Sequence, residues 1–198
     1  MDDRTEVEAE GASFSRRGIL GVMAALAAIS AAPDVFAAPL PSRKPARRGA
    51  KAVRAVHLYS VNTGERVKAP YWQDGRYIPE TMRAVNRIMR DHRSGSQHRI
   101  DPLLVDLICA MQMRIGAAKP IEIVSGYRSP ETNEMLRLAG YGVAEHSYHM
   151  QGKAVDIRVP GYRVSQLSRL AKAMRRGGVG TYGSGNFLHV DTGPIRYW

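Results

Sequence analysis

The chain has one cysteine, Cys109, so no intramolecular disulfide can form. Cys109 lies in the apolar run from Leu103 to Met113, where a buried, inert thiol is expected; a nucleophilic thiolate would want a basic partner at short range, and no neighbour supplies one. Phe and Trp are few, three and two, which argues against a large aromatic ligand platform. No repeat is visible, and the longest apolar stretch, at about 15 residues, is short for a typical spanning helix. Acids are also scarce: 29 Lys and Arg face 18 Asp and Glu, a net charge of +11. The imbalance is uneven. Residues 1–38 hold three arginines against six acids, leaving the rest of the chain at +14. So basic a chain expects an anionic partner, whether nucleic acid, acidic membrane or acidic polymer.

The N-terminus narrows that choice. Arg16 and Arg17 precede the apolar stretch, and Val35 and Ala37 fit the small-x-small pattern of a cleavage site after Ala37. Residues 1–38 therefore read as an export signal. Ser15-Arg16-Arg17-Gly18-Ile19-Leu20 resembles the twin-arginine type, the alternatives being an ordinary secretory signal with paired arginines or an uncleaved anchor. Export from a bacterial cytoplasm, into the periplasm, makes nucleic acid an unsuitable partner and the anionic envelope a suitable one. Residues 39–54, with six basic groups, no acid and several Pro and small residues, read as a flexible basic linker that is a solvated tether or an envelope adhesive.

Residues 55–198 carry the folding signals. Val53 to Val61 alternates, Asn62-Thr63-Gly64 marks a turn, and Glu65 to Ala69 can return as a hairpin. Met82, Val85, Ile88 and Met89 predict one helical face between Pro79 and Asp91. Asp101-Pro102 and Ser129-Pro130 read as helix starts, running to about Gly116 and Gly140. Ile121–Ser125, Ala154–Val159, Val179–Tyr182 and Phe187–Asp191 read as strands, and Ser165–Arg176 as an amphipathic helix. The mixed order predicts an α+β domain with an antiparallel sheet and helices packed on one side, expected to act as a monomer. Gly178-Val179-Gly180-Thr181-Tyr182-Gly183 matches the glycine pattern of dinucleotide sites, but a helix precedes it and a strand follows, the reverse of what such a site requires; tight turns are the expected reason for the glycines.

Chemistry concentrates in two segments. In Ser147-Tyr148-His149-Met150-Gln151-Gly152-Lys153-Ala154-Val155-Asp156, a His and an Asp lie seven apart with a glycine turn between them; taken alone, the pair also suits a core histidine and a turn-capping aspartate. Phe187-Leu188-His189-Val190-Asp191 adds a second His on a strand. Two His and one Asp supply three zinc ligands and leave a fourth position open, the pattern of a catalytic site. Arg128, in Ser125-Gly126-Tyr127-Arg128-Ser129-Pro130, falls between a strand and a helix, where a fixed cation can meet a developing oxyanion; the alternative is a surface arginine on a carboxylate or loop carbonyls.

Together SGYRSPETN, SYHMQGKAVDI and FLHVDTGPIRYW resemble the YcbK-like murein endopeptidases, part of a wider set of zinc peptidases with the D-alanyl-D-alanine carboxypeptidases and the hedgehog signalling domain. The resemblance covers roughly residues 55–198. It implies zinc held by His149, Asp156 and His189, with Arg128 steadying the carbonyl oxygen. It further implies hydrolysis of amides in the peptide stems of peptidoglycan, in the nearest branch the links between two diaminopimelate residues. Two other activities stay open at this point: a carboxypeptidase trimming stems, and a non-catalytic wall-binding module with a structural zinc. One departure matters. Better-known relatives place a Glu or His two or three residues before the last ligand as general base, and Phe187 and Asn186 stand there. Asp191 shares a strand face with His189 and is a base, an acceptor orienting a ligand ring, or a cap for the turn at Thr192-Gly193. His146 is the rival base.

Overall fold

A computed structural model describes residues 52–116 and 118–198. The export signal and nearly all of the basic linker lie outside the described residues. The first described element is strand β1 (Val53–Ser60), so the last two linker positions, Val53 and Arg54, belong to the sheet.

The hairpin forms where expected: β1 turns through Asn62-Thr63-Gly64 into β2 (Arg66–Gln73), which continues to the short β3 (Arg76–Tyr77). Two helices follow, α1 (Pro79–Ile88) and α2 (Pro102–Ile115). The Asp101 side chain caps α2 by accepting from the Leu103 amide at 2.9 Å, with Pro102 at the first turn where no amide is needed. After β4 (Ile121–Ser125), Ser129 caps α3 (Pro130–Leu138) in the same way. A single 3-10 turn, Tyr148–Gln151, leads into β5 (Ala154–Arg158). Then come α4 (Val164–Met174), β6 (Gly178–Tyr182), β7 (Phe187–Asp191) and β8 (Arg196–Tyr197).

The strands make one sheet in the order β3-β2-β1-β4-β5-β7-β6-β8. The α+β class holds, but the sheet is mixed rather than wholly antiparallel: β1 and β4 run parallel, as do β6 and β8. Both strands of the β6/β8 pair sit at one edge, and β8 spans only two residues, too few to carry a period in the sequence. Alternation along each strand sorts the two faces. Val56, Leu58, Ile121, Ile123, Val155, Ile157, Leu188 and Val190 share one buried cluster with Leu104, Ile108 and Met111 of α2 and Leu167 of α4. Helices α1, α2 and α4 thus cover this face, whereas Leu136 of α3 lines the cavity that holds His149, Asp156 and His189, so not all helices pack on one side as expected. Cys109 is buried there, its thiol donating to the Ala55 carbonyl at 3.3 Å, in keeping with an inert role.

Register decides what the opposite face carries. Ser125 of β4 pairs with Asp156 of β5, Asp156 with His189 of β7, and His189 with Gly180 of β6, a row running across four strands. Gly178 and Gly180 lie inside β6 rather than in turns, which corrects the reason expected for them. A Cβ on Gly180 would stand 2.5 Å from the Trp198 ring, and one on Gly178 would stand 2.5 Å from Asp191 and Arg196. These positions are bare because side chains of the site pass over them.

Candidate metal centre

His149 reaches the site from the 3-10 turn, which Ser147 caps and Gly152 ends at φ +65°. A side chain at Gly152 would meet the Arg99 carbonyl at 2.3 Å, so both the left-handed backbone and the close approach require glycine. Asp156 and His189 come from the centre of the sheet. All three side chains are buried.

Hydrogen-bond partners fix the two imidazoles. His149 Nδ1 lies 2.7 Å from the Gly126 carbonyl oxygen, which can only accept, so Nδ1 carries the proton. His189 Nε2 lies 2.9 Å from Asp191 Oδ2 and donates to it by the same logic. In the neutral rings the lone pairs are then His149 Nε2 and His189 Nδ1. These stand 3.2 Å apart, and Asp156 Oδ1 lies 3.3 Å from the first and 3.0 Å from the second. With both rings neutral in these tautomers, His149 Nε2, His189 Nδ1 and Asp156 Oδ1 converge as electron-pair donors, and the three residues could hold a metal ion. Burial alone would raise the Asp156 carboxyl, but the facing imidazoles outweigh it and hold the group below the usual carboxylate range. Burial likewise works against a charged His189, yet Asp156 and Asp191 outweigh it and raise the ring's pKa.

Asp191 does not face the open cleft. It is fully buried, and its two oxygens accept from His189 Nε2, the Gly178 and Gly193 amides and both terminal nitrogens of Arg196. These bonds overcome its burial and keep it ionised. It shares a strand face with His189, as the spacing of two requires, but sits beyond the ring on the side away from Asp156. The orienting and turn-capping arrangements expected for Asp191 are thus both present, and contact with the cavity is not.

A cavity of about 680 Å³ opens over the three residues, a size suited to a ligand of several residues or rings. Arg128 lines it, nearly buried. Its Nη1 donates to Asn133 Oδ1 at 3.2 Å, Nη2 lies 3.8 Å from Asp156 Oδ2, and Nε is buried with no hydrogen-bond partner among the described residues. His146 lines the cavity from an exposed position. Phe187, standing where better-known relatives place a base, stacks on Tyr182 with ring centroids 4.6 Å apart and forms part of the wall.

Several contributors escaped sequence reasoning. Gly126 orients His149 through its carbonyl, and its own position is tight, a Cβ there falling 2.4 Å from the Met89 carbonyl. Arg196 joins Asp191 and lies over the Tyr148 and Trp198 rings. Asn133 links Arg128 to the Ala144 and Glu145 carbonyls of the facing loop. Asn133 and Arg196 both fall inside the segments that carried the family resemblance, which was the available signal.

The chain matches over residues 48–198 the family model described as Peptidoglycan L,D-endopeptidase MepK. The protein called Peptidoglycan L,D-endopeptidase MepK in Escherichia coli K12 is 40% identical over 162 residues, which cover 82% of this chain and 89% of the relative. The Shigella flexneri protein of the same description is similar to the same degree. A Haemophilus influenzae protein, described as a probable peptidoglycan L,D-endopeptidase MepK, is 38% identical over 146 residues, 73% of this chain and 78% of its own length. Matches of this extent over most of both chains place the protein, a peptidase, in the MepK family.

Proposed function

We propose that the protein is a zinc-dependent endopeptidase that hydrolyses peptide cross-links of peptidoglycan, those joining two diaminopimelate residues. The observation that carries the reading is the triangle of lone pairs on His149, His189 and Asp156. Its edges are 3.0, 3.2 and 3.3 Å. A tetrahedral ion with ligand bonds of roughly 2.0–2.1 Å needs ligand atoms about 3.3–3.4 Å apart, so this donor set fits zinc in both chemistry and spacing. The names of the relatives support the substrate, since the Escherichia coli protein is described as a peptidoglycan L,D-endopeptidase and the Haemophilus influenzae protein as a probable one.

Zinc in a three-ligand site supplies Lewis acidity and lowers the pKa of water toward ~7. The chain's own residues do the rest. The Gly126 carbonyl and the Asp191 carboxylate hold the two imidazoles so that His149 Nε2 and His189 Nδ1 would be the nitrogens to hold a metal ion. Arg128, fixed by Asn133 on the cavity wall, offers N–H donors to the oxygen that gains charge as the amide carbon becomes tetrahedral. With Asp191 occupied by four donor groups, we assign the general base to His146 on the cavity wall. The aromatic side, Tyr182, Phe187 and Trp198, gives stem peptides an apolar surface.

The protein is proposed to work in the periplasm as a monomer, reaching it through the twin-arginine route, with residues 39–54 as a basic tether to the anionic envelope. Among the described residues no helix is long and apolar enough to cross a membrane. Changing Arg16 and Arg17 together to Lys is expected to leave unprocessed precursor in the cytoplasm; normal processing would assign export to the general secretory path. For activity, incubation with purified cross-linked muropeptides is decisive. Loss of dimers is expected. Shortened monomers with intact dimers would mean a carboxypeptidase, and no change at full zinc loading would mean a binding module.

A further inference from the structure

We propose that Arg93 forms a carboxylate-binding subsite that selects cross-links by the free carboxylate flanking the scissile amide nitrogen. The inference rests on the endopeptidase reading and names the feature of the substrate that the cavity recognises. An amide joining two diaminopimelates leaves a free carboxylate on the very carbon that contributes the nitrogen. A site cutting that amide therefore has an anion two bonds from the reacting atoms, and burying it without a cation would be costly.

The cavity lining carries three arginines, Arg93, Arg128 and Arg196, against one carboxylate, Asp156. Arg196 is bound to Asp191, and Arg128 faces Asp156. Arg93 makes no ion pair and no side-chain hydrogen bond among the described residues, and its side chain is exposed to the cavity. Asp156 cannot serve it, being engaged with the two imidazoles. An unneutralised cation on the wall of a cavity is the complement of an anionic ligand.

The position of Arg93 is built. The buried Asp91 carboxylate accepts from the Arg93 amide through Oδ1 at 2.9 Å and from the Ser129 amide through Oδ2 at 3.0 Å. One carboxylate thus clamps the backbone of Arg93 to the residue that follows Arg128. The Asp91 amide donates to the Ser96 carbonyl, and Gly95, in the left-handed region, donates back to the Asp91 carbonyl, which closes the loop. Burial pulls the Arg128 pKa down, Asp156 raises it, and the nearby Arg93 guanidinium lowers it again. Arg128 is placed for the carbonyl side of the amide, and the second cation, fixed to the same frame, is left for the nitrogen side.

The test uses two synthetic stem dimers that differ only in whether this carboxylate is free or amidated, with the zinc-loaded protein. The parent is expected to favour the free acid by about tenfold in kcat/KM. Arg93→Gln should bring the two substrates to within about twofold, with the loss on KM, while zinc content and melting temperature stay at parental values. Arg93→Lys should keep part of the preference. Equal cleavage of both dimers by the parent, or an undiminished preference in Arg93→Gln, would overturn the subsite. Calorimetric binding of the same dimers to metal-stripped protein reads the subsite without turnover. If neither dimer is cut yet the parent binds the free acid more tightly and Arg93→Gln does not, the subsite stands and the endopeptidase reading fails. If binding does not discriminate, the subsite fails.

Discussion

His189 and Asp191 lie two residues apart on β7, and the Nε2–H of the first donates to Oδ2 of the second at 2.9 Å. This bond points the other ring nitrogen at Asp156. Asp191→Asn would keep the shape but remove the charge that fixes the ring, and it would disturb Arg196 as well. Zinc affinity is expected to fall about ten- to a hundredfold, measured by competition with a chromophoric chelator. Unchanged affinity with turnover down a hundredfold would make Asp191 the base after all.

The ligand set predicts about one zinc per chain by elemental analysis. His149→Ala, Asp156→Ala and His189→Ala should each lose the metal and, with it, muropeptide cleavage. Full zinc occupancy in any of the three removes that residue from the set.

His146→Gln tests the base without touching a ligand. Zinc should stay bound while turnover drops on the order of a hundredfold or more. Parental turnover would shift the role to His92, the other histidine on the cavity wall outside the ligand set.

Gly126→Ala places a methyl group 2.4 Å from the Met89 carbonyl, a backbone atom that cannot swing aside. A loss of about 1–3 kcal/mol is expected in denaturant unfolding, with weaker zinc binding, because the same residue's carbonyl orients His149. Parental values for both would show that the backbone near residues 89 and 126 adjusts freely.

Asp91 links the fold to acid. Burial raises its carboxyl, but hydrogen bonds from Thr132 and from the Ser129 and Arg93 amides prevail and hold it below the usual range. A carboxyl depressed in the folded state stabilises fully above its unfolded pKa, near ~3.9, and loses that contribution as pH falls below it. Unfolding curves of the parent should therefore steepen in pH dependence below about pH 4. Asp91→Asn should be about 1–3 kcal/mol less stable at neutral pH and flatter across the acid range. A variant with the parent's acid limb would assign that limb to other carboxyls.

Local patterns were enough for much of this protein. The caps at Asp101 and Ser129, the prolines behind them and the helical spacing of Val85, Ile88 and Met89 each act within a few residues, so the elements they mark could be read directly. The metal-ligand candidates were legible for the same reason: residue type and strand phase put His189 and Asp156 on the face opposite Leu188 and Ile157. Side-chain partners on other strands were not legible, because they depend on which strands become neighbours. Strand phase put Asp191 beside His189, and the turn at Thr192-Gly193 offered it an amide to cap, but only the packing of β6 and β8 adds Gly178 and Arg196 and closes it off from the cavity. The Gly126 carbonyl meets a ring 23 residues away, and Asp91 joins two loops 38 residues apart. The sequence by itself determined which groups can bind a metal and which segments form strands and helices. Only the tertiary structure decided which nitrogen of each imidazole is free, which acid is withdrawn from solvent and which arginine keeps an unneutralised charge. Those properties follow from burial and hydrogen bonds between segments that are distant along the chain.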